Sequence, residues 1–129
     1  MNEQIKYYED KLKYEIDSWD LSEALKDSKT VVIDARSFSA YEQEHIPSAI
    51  NIPHRTMNEK TTQHLDKNIL YVTYCDGIGC NASTKGALNM TKLGFKVKEL
   101  LGGLDWWIRD GYETKGINAR NSKNIECGC

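Results

Sequence analysis

The apolar positions change their spacing along the chain, and the spacing predicts the elements. Residues 2–13 carry Ile5, Tyr8 and Leu12 at helical intervals, which predicts a helix with one apolar face. A second helix is expected through Leu21, Ala24 and Leu25, capped by Ser18 or Asp20. Thr30-Val31-Val32-Ile33-Asp34 is a β-branched run, the pattern of a strand buried on both faces. A brief helix over 38–44 follows. Pro47 bounds it, because proline disfavours helical geometry in the residue before it. Ala49-Ile50-Asn51-Ile52 reads as a strand closed by Pro53, and the polar residues 56–66 read as helical.

Ile69-Leu70-Tyr71-Val72-Thr73-Tyr74 is the clearest buried strand, and it runs directly into Cys75. The next helix has Gly86, Met90 and Leu93 at helical spacing, Ala87 beside them and Gly94 as its C-terminal cap. Phe95 to Leu101 supplies a last strand. Gly102-Gly103 breaks it, and Leu104 to Asp110 forms a helix before Gly111. Trp106 and Trp107 are expected to divide into one core and one partly exposed residue. Residues 114–129 are polar and weakly patterned, and read as a C-terminal tail.

Strands that alternate with helices imply an α/β fold: a central, mostly parallel sheet flanked by helices on both faces. In such sheets ligands bind beyond the carboxyl ends of the strands. Cys75 falls at such an end, which is the first functional signal.

Composition narrows the picture. The 129 residues suit one domain, with no internal repeat, and can bury a core without disulfide staples. Hydrophobic residues at 40% and charged residues at 28% are those of an ordinary globular protein. The formal net charge is -2 and no basic block stands out, which argues against nucleic-acid or anionic-membrane partners. No stretch approaches the roughly 20 apolar residues of a membrane span. The first residues lack the layout of a signal peptide, so a cytoplasmic location is expected, where thiols stay reduced.

Four cysteines fall in two pairs, Cys75 with Cys80 and Cys127 with Cys129. In a chain of this size metal or redox chemistry is a better reading than a bridged miniprotein. Two thiols at Cys127 and Cys129 fall short of the four ligands of a structural zinc site, and His54 and His64 have no ligand spacing. No metal is assigned. An end with incidental cysteines is preferred over a sulfur relay.

The segment from Cys75 through Asp76, Gly77, Ile78, Gly79, Cys80 and Asn81 carries the candidate chemistry. A buried strand delivers the cysteine to a loop with two glycines, and the loop opens a helix. Glycines can turn several N–H groups toward one point, making an anion-binding nest. The helix N-terminus adds partial positive charge. A thiol that titrates near about 8.5 when free is expected to lose its proton more readily there, which suits nucleophilic attack on a sulfur donor and storage of the sulfur. A buried core cysteine is the competing reading, and the local pattern leaves both open. Cys80 reads as a packed small residue ahead of a resolving thiol, because spacing alone does not give sulfur–sulfur geometry.

Three segments then resemble the rhodanese family. Residues 34–51, from Asp34-Ala35-Arg36 through Tyr41 and His45-Ile46-Pro47 to Asn51, are similar to the signature D-x-R…[YF]-x-x-G-H-I-P-G-A-x-N. Cys75 follows its strand as the rhodanese active-site cysteine does. Gly102-Gly103-Leu104-Asp105-Trp106-Trp107-Ile108-Arg109-Asp110-Gly111-Tyr112 resembles the closing motif G-G-x-x-x-W-x-x-x-G-Y. The three occur in the family's order over about 14–113. The resemblance implies a rhodanese-like fold and a sulfurtransferase. Sulfane sulfur would pass from thiosulfate or a persulfide, small or protein-borne, to a thiophilic acceptor through a Cys75 persulfide, with no metal or organic cofactor.

The chain departs from the family in three places. Glu44 and Ser48 stand where the signature has glycines, and residues 76–84 hold no Arg or Lys, although many thiosulfate-using rhodaneses carry a basic residue there. Asp34, Arg36 and His45 are read as structural supports rather than proton carriers. A phosphatase or arsenate reading needs an arginine after the cysteine loop, and none follows before Arg109. The alternative function is a non-catalytic rhodanese-like module that binds a partner or senses redox state through Cys75 and Cys80.

Overall fold

The computed structural model describes residues 2–123 and 125. Five strands form one sheet: β1 (Glu15–Ile16), β2 (Thr30–Asp34), β3 (Ile50–Asn51), β4 (Leu70–Tyr74) and β5 (Lys96–Leu100). Their order across the sheet is β1-β5-β4-β2-β3, and every pairing is parallel. The helices are α1 (Asn2–Tyr14), α2 (Ser18–Ala24), α3 (Phe38–Gln43), α4 (Glu59–Thr62), α5 (Ala82–Lys92) and α6 (Gly103–Arg109).

The β-branched strands are buried on both faces, as their composition requires. Alternate side chains of β2 and β4 enter two separate cores. Val32, Val72 and Tyr74 join Leu21, Ile46, Leu104 and Trp107 on one face. Ile33 and Tyr71 join Ile52, Met90 and Phe95 on the other. β4 is central, so the strand that ends at Cys75 has neighbours on both sides.

Several local expectations change. The short β1 is new; it adds an edge through Ile16 and pairs with β5. The cap of α2 is Asp17, whose carboxylate accepts from the Asp20 N–H at 2.8 Å, while Ser18 is buried inside the first turn. The polar segment 56–66 yields only the 3₁₀ turn His54–Thr56 and the four-residue α4. The apolar positions of α1 are not a buried face: Ile5, Tyr8 and Leu12 are all exposed. The two tryptophans divide as expected, with Trp107 in the core and Trp106 at the surface.

The segment read as a tail is docked over Thr114 to Arg120. Lys115 exchanges two backbone hydrogen bonds with His45, and Thr114 is buried. The Thr114 hydroxyl and the Arg120 Nε donate to the Glu44 carboxylate at 2.5 and 2.8 Å. The residue that departs from the signature glycine is therefore one of those that hold this segment. The other departure, Ser48, takes a left-handed backbone with φ 67°. Cys127 and Cys129 lie outside the described residues.

Candidate active site

β2 and β4 end in register, with Asp34 beside Tyr74, and the ladder runs one residue further as the Ala35 N–H donates to the Tyr74 carbonyl at 3.1 Å. Beyond these ends lies a buried polar network. The Asp34 carboxylate accepts from Arg36 Nε (3.0 Å), Arg36 Nη2 (2.7 Å) and the Tyr74 hydroxyl (2.7 Å). Arg36 Nη2 also donates to the Glu44 carbonyl at 2.6 Å. The Asn51 side-chain amide donates to the carbonyls of Asp34 and Arg36. Burial alone disfavours the Arg36 charge, but the hydrogen bonds and charge of Asp34 outweigh it and raise its pKa. Burial, reinforced by the Asp34 charge, pushes the Tyr74 phenol up as well. Asp34 and Arg36 are thus joined in one buried hydrogen-bonded network at the strand ends.

His45 stands apart from the cleft that holds Cys75. Its Nδ1 donates to the Tyr41 carbonyl at 2.7 Å, and its ring stacks on Tyr41 at 3.8 Å. The two backbone bonds to Lys115 complete its environment.

Cys75 follows β4 and is 2% exposed. Its sulfur is bonded to that of Cys80, with the two Cα atoms 6.3 Å apart. The reading of Cys80 as a packed residue is therefore corrected: the loop folds back through a turn, with the Cys80 N–H donating to the Gly77 carbonyl, and brings the two sulfurs together. The loop glycines also differ from expectation. Gly77 and Gly79 are not among the residues with positive φ, so no left-handed glycine shapes a nest there. The anion focus proposed from sequence is occupied by a covalent sulfur–sulfur bond.

The glycines that matter are the pair before α6. The N–H groups of Leu104 and Asp105 donate to the carbonyls of Cys75 (2.9 Å) and Asp76 (2.7 Å), so α6 abuts the loop through its first turn. A Cβ on Gly103 would lie 2.4 Å from the Cys75 carbonyl oxygen, and its φ is +60°. Both facts demand glycine. On the other side of the loop, the first turn of α5 is tied to β5, because the hydroxyls of Ser83 and Thr84 donate to Glu99 at 2.7 and 2.6 Å.

The loop separates two clefts. The first, about 350 Å³, is lined by Arg36, His54, Arg55, Cys75, Asp76 and Cys80 among others. The second, about 670 Å³, is lined by Glu15, Glu99, the loop from Gly77 to Asn81 and Gly102. Cys80 borders both and Cys75 only the first. The charges of the two clefts differ in sign. In the first, Arg36 is matched by Asp34 and by Asp76 at 2.9 Å, which leaves Arg55 as the further cation. Burial lowers the His54 pKa, and so do the positive charges of Lys85 and Arg55, which both act on its ring. His54 is fixed between the strands and α5: its N–H donates to the Ala35 carbonyl, and its carbonyl accepts from Asn89.

Sequence reasoning missed His54 and Arg55. The signal was available, because they follow the strand end at Pro53, and strand ends were the rule that selected Cys75.

Comparison with known proteins agrees with this architecture. The BH2092 protein from Bacillus halodurans, a crystal structure, superposes with a TM-score of 0.88 at 40% identity, over 98% of this chain and 94% of that one. A rhodanese-related protein from Thermoplasma volcanium gives a TM-score of 0.69 at 27% identity, over 79% and 97%. Thiosulfate sulfurtransferase GlpE of Coxiella burnetii is 31% identical over 94 residues, covering 71% of this chain and 81% of that protein. The tRNA uridine(34) hydroxylase of Buchnera aphidicola is 32% identical over 98 residues, and the match spans 30% of its length. The family model described as the rhodanese-like domain matches residues 19–110. With that match over most of the chain, and a parallel sheet like those of rhodanese-related structures, the chain belongs to the rhodanese-like domain family.

Proposed function

We propose that the protein is a sulfurtransferase that takes sulfane sulfur from an anionic donor onto Cys75 as a persulfide and passes it to a thiophilic acceptor. The observation that carries this reading is the position of Cys75. It follows the central strand and lines a cleft together with Arg55, His54 and Arg36. A thiolate freed there attacks the outer sulfur of the donor; the donor's remaining fragment leaves with the electron pair of the broken sulfur–sulfur bond. The loop has no basic residue of its own, but Arg55 supplies positive charge across the cleft, and Lys85 adds to it close to His54. Beside the Arg36–Asp76 pair, the positive charge of Arg55 favours an anion such as thiosulfate. Similarity to a thiosulfate sulfurtransferase supports the same donor class. The chemistry needs Cys75 reduced, which suits a reducing cytoplasm.

A second reading is favoured by one observation, the Cys75–Cys80 bond: a non-catalytic module that senses redox state. One assay separates the two. The reduced chain is treated with thiosulfate or a persulfidated thiol, and transfer to cyanide is followed with mass analysis of Cys75. Sulfurtransferase action gives an added sulfur on Cys75 and turnover that Cys75→Ala abolishes. Reversible disulfide formation with negligible, Cys75-independent transfer would leave only the sensor.

A further inference from the structure

We propose that Cys80 is a second catalytic residue, which attacks the Cys75 persulfide, releases its outer sulfur as hydrosulfide, and closes the Cys75–Cys80 disulfide as an intermediate of turnover. The proposal rests on the sulfurtransferase reading and adds a product to it. The observation behind it is that the loop brings the two sulfurs into bonding contact between cysteines only five positions apart. The turn from Gly77 to Cys80 and the α6 hydrogen bonds to Cys75 and Asp76 hold the folded-back path.

The Cys80 thiolate attacks Cys75 Sγ, the inner sulfur of the persulfide. The bond between the inner and outer sulfurs breaks, and the outer sulfur leaves as HS⁻. Sulfane sulfur is reduced by two electrons while two cysteines are oxidised to one disulfide. Resetting the site takes an external dithiol, which the proposal names as the co-reactant. With thiosulfate as donor, one thiosulfate and one dithiol give sulfite, hydrosulfide, the dithiol's disulfide and a proton.

The two clefts give the reset a direction. Cys75 is almost fully buried, whereas Cys80 is half-buried and faces both clefts. An incoming thiolate therefore reaches the Cys80 sulfur, and Cys75 leaves as the thiolate, ready for the next donor. The larger cleft, bordered by Glu15 and Glu99, is the side from which the dithiol approaches without crossing the donor's path.

The test is a single turnover. The full chain is reduced, stripped of reductant under anaerobic conditions, and given one equivalent of thiosulfate. Sulfite, sulfide and intact mass are measured. The expected result for the unaltered chain is one sulfite and one sulfide per chain, with the cysteines ending as the Cys75–Cys80 disulfide. Cys80→Ser and Cys80→Ala are expected to release sulfite, lose sulfide release to background, and accumulate a Cys75 persulfide that cyanide can discharge. The proposal is overturned if the unaltered chain keeps its persulfide and releases no sulfide, or if Cys80→Ser releases sulfide equally well. If the Cys80 variants fail to fold, the sulfide and disulfide yields of the unaltered chain still decide the matter. Absence of sulfite release from the unaltered chain and both variants would remove the sulfurtransferase reading itself. Sulfite release with a stable Cys75 persulfide in the unaltered chain would remove only the role of Cys80.

Discussion

Arg36 touches two carboxylates, and the contrast between them divides the site into two regions. Toward the sheet it meets Asp34, which is fully buried; toward the loop it meets Asp76, whose side chain is 71% exposed. Around Asp34 every strong polar group has a partner in Arg36, Tyr74 or a backbone group, and the strands on either side are packed. Around Asp76 the chain is a seven-residue loop, held by one internal turn, two hydrogen bonds from α6 and a disulfide. The comparison teaches where rigidity is needed. The scaffold fixes the point at which Cys75 leaves β4, while the loop beyond it has few hydrogen bonds of its own.

The sharpest way to break this comparison is to remove each partner of Arg36 in turn. Asp34→Ala leaves a buried guanidinium without its main counter-charge and is expected to cost about 3–5 kcal/mol. Asp76→Ala removes a rim pair and is expected to cost no more than about 1 kcal/mol. Urea unfolding of both variants measures the ratio, and equal losses would abolish the distinction. Gly103→Ala comes next. Its Cβ meets the Cys75 carbonyl and its backbone is left-handed, so a loss of about 2–4 kcal/mol is expected. Because the displaced group belongs to Cys75, the sulfur transfer proposed for that residue should fall with it, as a steady-state assay would show.

Ser48 tests a place where the scaffold departs from ideal backbone. Ser48→Gly relieves the left-handed strain at φ 67° and is expected to stabilise the fold by about 0.5–1 kcal/mol, read as a higher urea midpoint. The smallest effect concerns His54. Its pKa is lowered in the fold, so below its ordinary value of 6.5 the unfolded chain takes up the proton first. Stability therefore falls as pH drops from that value through the folded pKa, and levels off below it. Unfolding curves at pH 7 and pH 5 should differ less for His54→Gln than for the unaltered chain.

The sequence made the central part of the fold legible. β2 and β4 are continuous apolar runs, and such runs have little choice but a doubly covered parallel sheet. The break at Gly102-Gly103 and the helix after it were legible for a similar reason, because glycines mark where side chains cannot go. The edges were not. β1 has two residues, too few to carry a period, and it exists only because β5 offers an unpaired edge. α1 carries an apolar spacing, yet no core lies beneath it. Segment 114–120 carries no pattern at all; residues 42–45, far away in sequence, hold it.

By itself, then, the amino-acid order determined the parallel core, the strand end at which Cys75 stands, and the break at Gly102-Gly103, since these depend on local periodicity and on glycine chemistry. Only the tertiary structure decided that Cys80 meets Cys75, that His54 and Arg55 line the same cleft, and that Glu44 binds Arg120. Those encounters depend on distances between chain segments, and apolar spacing within one segment carries no information about its distance from another.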